Sequence, residues 1–375
     1  MYTDYPYIVI YIILIICAFH YWKYENKIAV YVSLVSVFLF FALRAPVVGA
    51  DTWNYVRYLA GTRDFYSEWD DRALEYLFVG YRFVIESLTS SYAVIMFVNT
   101  VISIGPLYWL MKKYSCNVPL TLLMFFNLNC LILYFVALRQ IFALVPLIFT
   151  IVYCLEKKTT PFKTSMLFLF AGVIAFGFHV TGLIYAILYL AAFLIPIKKR
   201  WLCLTAVSFS ALVGLFADKF NVLEFFSSVS SLNLVVLQRV DAYLVGDNLN
   251  ELNAMSIALR PTFIALVIYS FIEEEKLNHP FSKIFMFGVI MYNFGATVPM
   301  IHRMVLPLVM FGSIIFTWCF SSELVMSLKK QRILQILTLL IVIYFSRSWY
   351  IKCTDWTWFD ESCMHPYQFV FEDYE

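Results

Sequence analysis

Run after run of 16–20 residues passes along this chain with almost no charge, and that feature alone leaves few architectures open. An α-helix needs about 20 apolar residues to cross the hydrocarbon core of a bilayer. Within that core every backbone N–H and C=O must find its partner inside the protein, so only helices and closed barrels cross it. The runs do not alternate apolar with polar residues, which excludes a barrel. A chain of 375 residues that is 62% hydrophobic and 14% charged carries more apolar surface than a water-soluble core of this size can hide. The expected fold is therefore all-α, a polytopic integral membrane protein.

Twelve spans are expected, at 5–22, 28–44, 91–110, 118–137, 140–155, 162–178, 180–197, 201–217, 254–272, 281–299, 301–320 and 333–350. The first has no basic residue before it and no small-residue cleavage site after it, so it reads as a retained helix and not a signal peptide. Segment 73–88, "ALEYLFVGYRFVIESL", places Glu75, Arg82 and Glu86 among apolar residues and is expected to lie along the interface. The whole is expected to be one membrane domain, with outer loops at 45–90 and 218–253 and an outer tail at 351–375.

The basic residues orient these spans. Loops holding Lys23/Lys27, Lys112/Lys113, Lys157/Lys158/Lys163, Lys198/Lys199/Arg200, Lys276/Lys283 and Lys329/Lys330/Arg332 all fall on one side, which the positive-inside rule makes cytoplasmic. That side takes 13 lysines and 2 arginines; the other takes 2 lysines and 10 arginines. With 19 acids the outer side is net negative (12 − 19 = −7), yet it is rich in arginine. Arginine stays charged when partly buried and grips phosphate or carboxylate with two parallel N–H groups.

Four arginines are expected at one depth, at the outer helix ends: Arg44, Arg139 in "ALRQIFAL", Arg260 in "IALRPTF" and Arg303 in "PMIHRMVLP". Pro261 disfavours helix at Arg260, so a break in the ninth span is expected there. Charges at such positions are costly and usually face a cavity; the alternatives are snorkelling to the interface or pairing with the outer acids. His179, in "AFGFHVTGL", shares that level and suits either a helix-end hydrogen bond or proton transfer. His302 lies beside Arg303.

The stretch "RAPVVGADTWNY" leaves the second span at Arg44 and turns at Pro46 and Gly49. Asp51 and Tyr55 are thereby held near the helix ends, Asp51 as a proton acceptor, and Asp51 or Thr52 as the cap that starts a short helix, two readings that can hold at once. Arg239 and Tyr243, in the loop 218–253, are placed to meet the soluble part of a substrate. The acidic run 67–71 reads as a solvated loop, although it could hold a divalent cation. The aromatic tail reads as an interface anchor or a surface that stacks on sugar rings. Eight cysteines show no zinc spacing; Cys353 and Cys363 could pair in an oxidising compartment.

Four short motifs together resemble a known family. "LRAPVVGADTWNY", "ALRQIFAL", "GFHVTGLIY" and "HRMVLPLVMF" resemble, in that order and along roughly residues 40–320, the signatures of the EpsG-like branch of bacterial Wzy-type polysaccharide polymerases. Two positions depart from the pattern: Ala45 stands where glycine is usual, and Leu306 or Pro307 where an aromatic often follows the late arginine. The resemblance implies a metal-independent glycosyltransferase of GT-C-like fold, without cofactor, facing outward from the bacterial cytoplasmic membrane. It implies undecaprenyl-diphosphate-linked glycans as substrates, with a chain-length-regulating membrane protein as a possible partner and no role for nucleic acid. It assigns Arg44, Arg139, Arg260, Arg303 and Arg239 to the diphosphate, Asp51 or His179 to the proton, and Tyr55, Gln140, Tyr243 and His302 to the substrate. Two rivals are a GT-C transferase adding a branch sugar, with Asp70/Asp71 as a metal-binding pair, and a lipid-linked oligosaccharide flippase. The gathering of charge at one face, and not at the midplane, speaks against a transporter.

Overall fold

The apolar runs fold as helices whose ends fall at the polar breaks between them. The computed structural model describes residues 5–49, 51–62, 75–216, 254–295, 301–321, 327–354 and 367–371, with the backbone alone at 254–260, 301–302, 321 and 348–354. The chain forms two compact units, Met1–Ile187 with Thr338–Glu375, and Leu188–Leu337. Among the described residues there is no strand, only one isolated β-bridge. This is an all-α polytopic membrane protein.

In the first unit, α1 (Tyr5–Tyr24) and α2 (Lys27–Ala42) form an antiparallel pair, and Asn26 caps α2 by accepting from Ile28 N. Short α3 (Thr52–Leu59) packs on α4 (Tyr76–Leu88) and α5 (Tyr92–Tyr114). Next come α6 (Val118–Asn127), α7 (Cys130–Val136), α8 (Leu138–Lys157) and α9 (Pro161–Phe178). Then α10 (Thr181–Leu194) runs into the second unit. Beneath α3, the side chains of Tyr55, Val56, Tyr58, Phe78, Ile85 and Phe142 make a buried core that fixes its position.

Among the described residues, five helices are long and apolar enough to cross a membrane, counting Arg303–Phe320 as one. The fourth expected span is broken: α6 and α7 meet at 77°. Asn129 at the joint has φ +59°, a left-handed conformation in which asparagine is one of the few comfortable residues. Helix α1 serves as a ruler for this pair. Asn117 donates to Ala18 O, Asn127 accepts from Tyr11 Oη at 2.6 Å, and the Phe135 ring lies against Tyr7. The pair thus climbs the whole of α1 from its lysine end to its other end, and is a broken span and not a re-entrant loop.

In the second unit, α11 (Arg200–Leu215), α12 (Ala254–Phe271) and α14 (Pro280–Phe294) pack together, with the turn α13 (Glu274–Leu277) between the latter two. The network Thr262 Oγ1 → Asn293 Oδ1 and Asn293 Nδ2 → Ser210 Oγ, both 2.9 Å, ties the three helices. Helix α12 continues through Arg260 and Pro261, so the break expected there does not occur. A proline in a membrane helix is tolerated where neighbouring groups satisfy the freed backbone. The eleventh span is α15 (Ile301–Val309) and α16 (Phe311–Ser321). Two loops expected on one side meet: Arg200 Nη2 donates to Ile272 O, and Lys283 Nζ to Ile195 O. The final helix is α17 (Leu328–Thr354).

The end of the chain returns to the first unit. Ala45 N donates to Gln368 O at 2.7 Å and Val370 N to Leu43 O at 2.8 Å, bridging Arg44 to Phe369. Tyr367 stacks on Phe40 at 5.0 Å, meets Tyr7 edge-on, and donates from its hydroxyl to Phe40 O at 2.6 Å. Tyr367 is buried and packs inside the first unit, whereas Phe371 is exposed. The rest of the tail, and the pairing of Cys353 with Cys363, lie outside what is described. We expect Tyr367→Ala to destabilise the detergent-solubilised protein by about 3 kcal/mol and Tyr367→Phe by about 1 kcal/mol, read by thermal unfolding. A Tyr367→Ala protein that melts like wild type would show that the segment is not docked.

Candidate functional site at the arginine end of the first unit

The polar stretch after α2 forms a tight turn around Arg44, which is only 6% exposed. Its Nη1 donates to Val48 O and to Phe135 O, both at 3.1 Å, and its Nη2 to Tyr134 O at 3.3 Å. The guanidinium also lies 4.2 Å from the centre of the Phe135 ring. The carbonyls of Tyr134 and Phe135 lie in the last turn of α7, where the helix has no N–H left to satisfy them. Gly49 has φ +108°, and a Cβ there would run into Phe135 O. Thr52 Oγ1 donates to the same carbonyl at 2.6 Å. The turn is therefore sewn to the end of α7, with Arg44 as its main thread. The sequence expects Arg44 to bind diphosphate; here its Nη1 and Nη2 meet main-chain carbonyls, while its buried Nε has no hydrogen-bond partner among the described residues.

Above the turn a second arginine has a different environment. Arg139, in the first turn of α8, pairs through Nη1 with Glu75 Oε2, and its Nε donates to Tyr55 Oη at 3.2 Å. Its guanidinium lies 5.2 Å from the Tyr55 ring. Glu75 is 1% exposed and heads α4, where its carbonyl accepts from Phe78 N and Val79 N. Burial pushes the Tyr55 phenol up while Arg139 pulls it down. At neutral pH the hydroxyl therefore keeps a proton that it can donate.

Asp51 stands at the head of α3, where its carbonyl accepts from Tyr55 N. It occupies the N-cap position of α3, as the sequence suggests, although its side chain makes no capping hydrogen bond. It lies one turn before Tyr55, and its charge adds to the rise of the Tyr55 phenol. Gln140 follows Arg139 in α8 and is half-buried; its Oε1 accepts no hydrogen bond among the described residues.

His179 ends α9 and starts α10. Thr181 N donates to its Nδ1 at 3.3 Å, and Thr181 Oγ1 lies 2.8 Å from the same atom. Nδ1 is thus an acceptor, which puts the proton of the neutral ring on Nε2. Neighbouring Phe178 packs edge-on against Phe142, one turn into α8 from Arg139. Leu77 of α4 lies where a Cβ on Gly177 would go. His179 therefore belongs to the same end of the first unit as Arg139 and Glu75.

The structure brings Tyr55 and Arg139 into contact; Asp51 heads the helix that carries Tyr55, Gln140 follows Arg139 in α8, and Phe178, the neighbour of His179, packs on Phe142. Arg303 is half-buried near the start of α15 in the second unit, and Arg260 and His302 are described by backbone only, in α12 and α15. Arg239, Tyr243 and the acidic run 67–71 lie outside the described residues. Sequence reasoning missed Glu75, which it read as one charge on the face of an interfacial helix. The available signal was its position: it precedes the apolar run "YLFVGY" and so heads the helix.

Fold and site together define a polytopic α-helical membrane protein with a buried arginine–carboxylate–phenol cluster at one end of its helices. The model of the EpsG family matches residues 27–369, nearly the whole chain. The protein belongs to the EpsG family, which consists of Wzy-type polysaccharide polymerases. Its role is thus polysaccharide polymerisation of a glycosyltransferase kind. No curated protein and no solved structure matches the chain.

Proposed function

We propose that this protein joins undecaprenyl-diphosphate-linked oligosaccharide repeat units into a surface polysaccharide, at the outer face of the bacterial cytoplasmic membrane and in a GT-C-like manner without a metal. The observation that carries the reading is the Arg139–Glu75–Tyr55 cluster, a fixed guanidinium at the arginine-rich end of the helices with Asp51 beside it.

The terminal hydroxyl of an incoming unit attacks the anomeric carbon of the growing chain. A new carbon–oxygen bond forms as the bond to diphosphate breaks, and the lipid diphosphate leaves with the electron pair. Asp51 takes the hydroxyl proton. Arg139 stabilises the charge that builds on the leaving phosphate, the largest contribution such a site can make. His179, with its proton on Nε2, serves as a donor to a phosphate oxygen and not as the base. Arg303, Arg260 and Arg239 extend the anionic site, Tyr55 and Gln140 orient the substrate, and Tyr243 and His302 contact its glycan. Arg44 supports the site from beneath. A membrane protein that sets chain length is the expected partner, and nucleic acid has no part.

The test is gel analysis of surface glycan from the native host carrying a deletion, with and without the wild-type gene. The expected result is glycan capped with single repeat units in the deletion strain and a restored ladder on complementation, unchanged when EDTA is added to isolated membranes. Full-length polymer lacking one side-branch sugar would instead identify a branch-sugar transferase. Lipid-linked units trapped on the cytoplasmic side would identify a flippase.

A further inference from the structure

We infer that Glu75 is a positioning residue for the anion-binding guanidinium of Arg139, acting with the Tyr55 hydroxyl to fix its plane; this rests on the function proposed above.

Three elements distant in sequence converge on this cluster: Tyr55 from α3, Glu75 from the head of α4 and Arg139 from the first turn of α8. Two of the three guanidinium nitrogens, Nη1 and Nε, are held by side chains from two different helices. A planar group gripped at two edges cannot rotate about its own stem. Such fixing matters for a group that must meet a phosphate with two parallel N–H bonds, because arginine's advantage over lysine is that planar fork.

The placement is also an unusual one to keep for stability alone. Glu75 is almost wholly excluded from solvent, and a buried ion pair is often no more stabilising than apolar side chains of the same volume. The surroundings are apolar and would accept them: Phe78 packs on Tyr55, Tyr58 and Phe142. Arg139 sits at a helix N-terminus, where the helix dipole opposes a cation. Glu75 offsets that opposition while itself heading α4, so one carboxylate answers both helix starts. It meets no substrate in this role, and works only through Arg139.

The test uses the full-length protein in lipid nanodiscs, with undecaprenyl diphosphate as the binding probe and lipid-linked repeat units for turnover. Glu75→Gln keeps the shape and an acceptor oxygen but removes the charge. It is expected to weaken probe binding by about 10–100-fold, the usual cost of losing the partner that orients a binding group. Glu75→Asp is expected to recover part of that loss. The decisive comparison is the double variant Glu75→Gln/Arg139→Gln, which should bind no worse than Arg139→Gln alone, since Glu75 has nothing left to orient. Probe binding by folded Glu75→Gln equal to wild type overturns the inference, and so does a double variant markedly worse than Arg139→Gln. Wild-type protein that does not bind the probe would instead overturn the function on which the inference rests.

Discussion

Cells whose only copy carries Arg139→Ala are expected to make no polymer ladder, with the protein still inserted in the membrane. In the proposed reaction the guanidinium faces the charge that develops on a leaving phosphate. Single donors in such positions are worth about 10²–10³ in rate, and arginines at transferring phosphoryl groups about 10³–10⁵. A loss of that size empties a ladder, because every lengthening step repeats the same deficit. Arg139→Lys keeps the charge but not the planar fork, so it should leave short chains at best. The complication is stability. Arg139→Ala strands Glu75 as a buried carboxylate, which costs about 3–5 kcal/mol when one partner of a buried pair is removed. The double variant Arg139→Leu/Glu75→Leu resolves this. It removes both charges, so its thermal stability should return close to wild type while the ladder stays absent. A double variant that regained the ladder along with its stability would show that Arg139 is structural.

The helices were legible because they follow from local rules. Apolar runs between lysine pairs become helices bounded near Tyr24, Lys27, Lys112 and Lys157, as periodicity and charge demand. What was not legible depends on contacts between distant residues. Nothing near Tyr367 announces that it will stack on Phe40, 327 residues away. Glu75 sits among apolar residues like any charge on an interfacial helix, and only its partner in α8 reveals it as part of a site. The broken fourth span lies between these cases. Its two asparagines, Asn127 and Asn129, interrupt an otherwise apolar run, and one accepts a cross-helix hydrogen bond while the other takes the left-handed turn. Arg44 and Arg139 looked alike in sequence, each an arginine at a helix end. Their surroundings differ: the side-chain hydrogen bonds of one go to main-chain carbonyls, those of the other to a carboxylate and a phenol.

That separation gives the second large effect. Arg44→Met is expected to lower the unfolding free energy by about 3–5 kcal/mol, a large part of the roughly 5–15 kcal/mol that holds a typical domain together. Methionine fills much of the space but donates nothing. The carbonyls of Val48 and Tyr134 lose their only recorded side-chain donor, while Phe135 O keeps Thr52 Oγ1. Arg44→Lys should cost about half as much, since one ammonium can serve some of those carbonyls but not span them all. Activity should fall in step with the folded fraction, because the turn carries Gly49, Asp51 and the start of α3, and with them Tyr55. The pattern is the reverse of that for Arg139. There, activity vanishes in protein whose stability the double variant restores; here, stability goes first and activity follows. Unfolding in detergent, followed beside probe binding per folded molecule, tells the two apart. An Arg44→Met protein that melts like wild type yet no longer binds undecaprenyl diphosphate would return Arg44 to the diphosphate site, where its position in the sequence alone had put it.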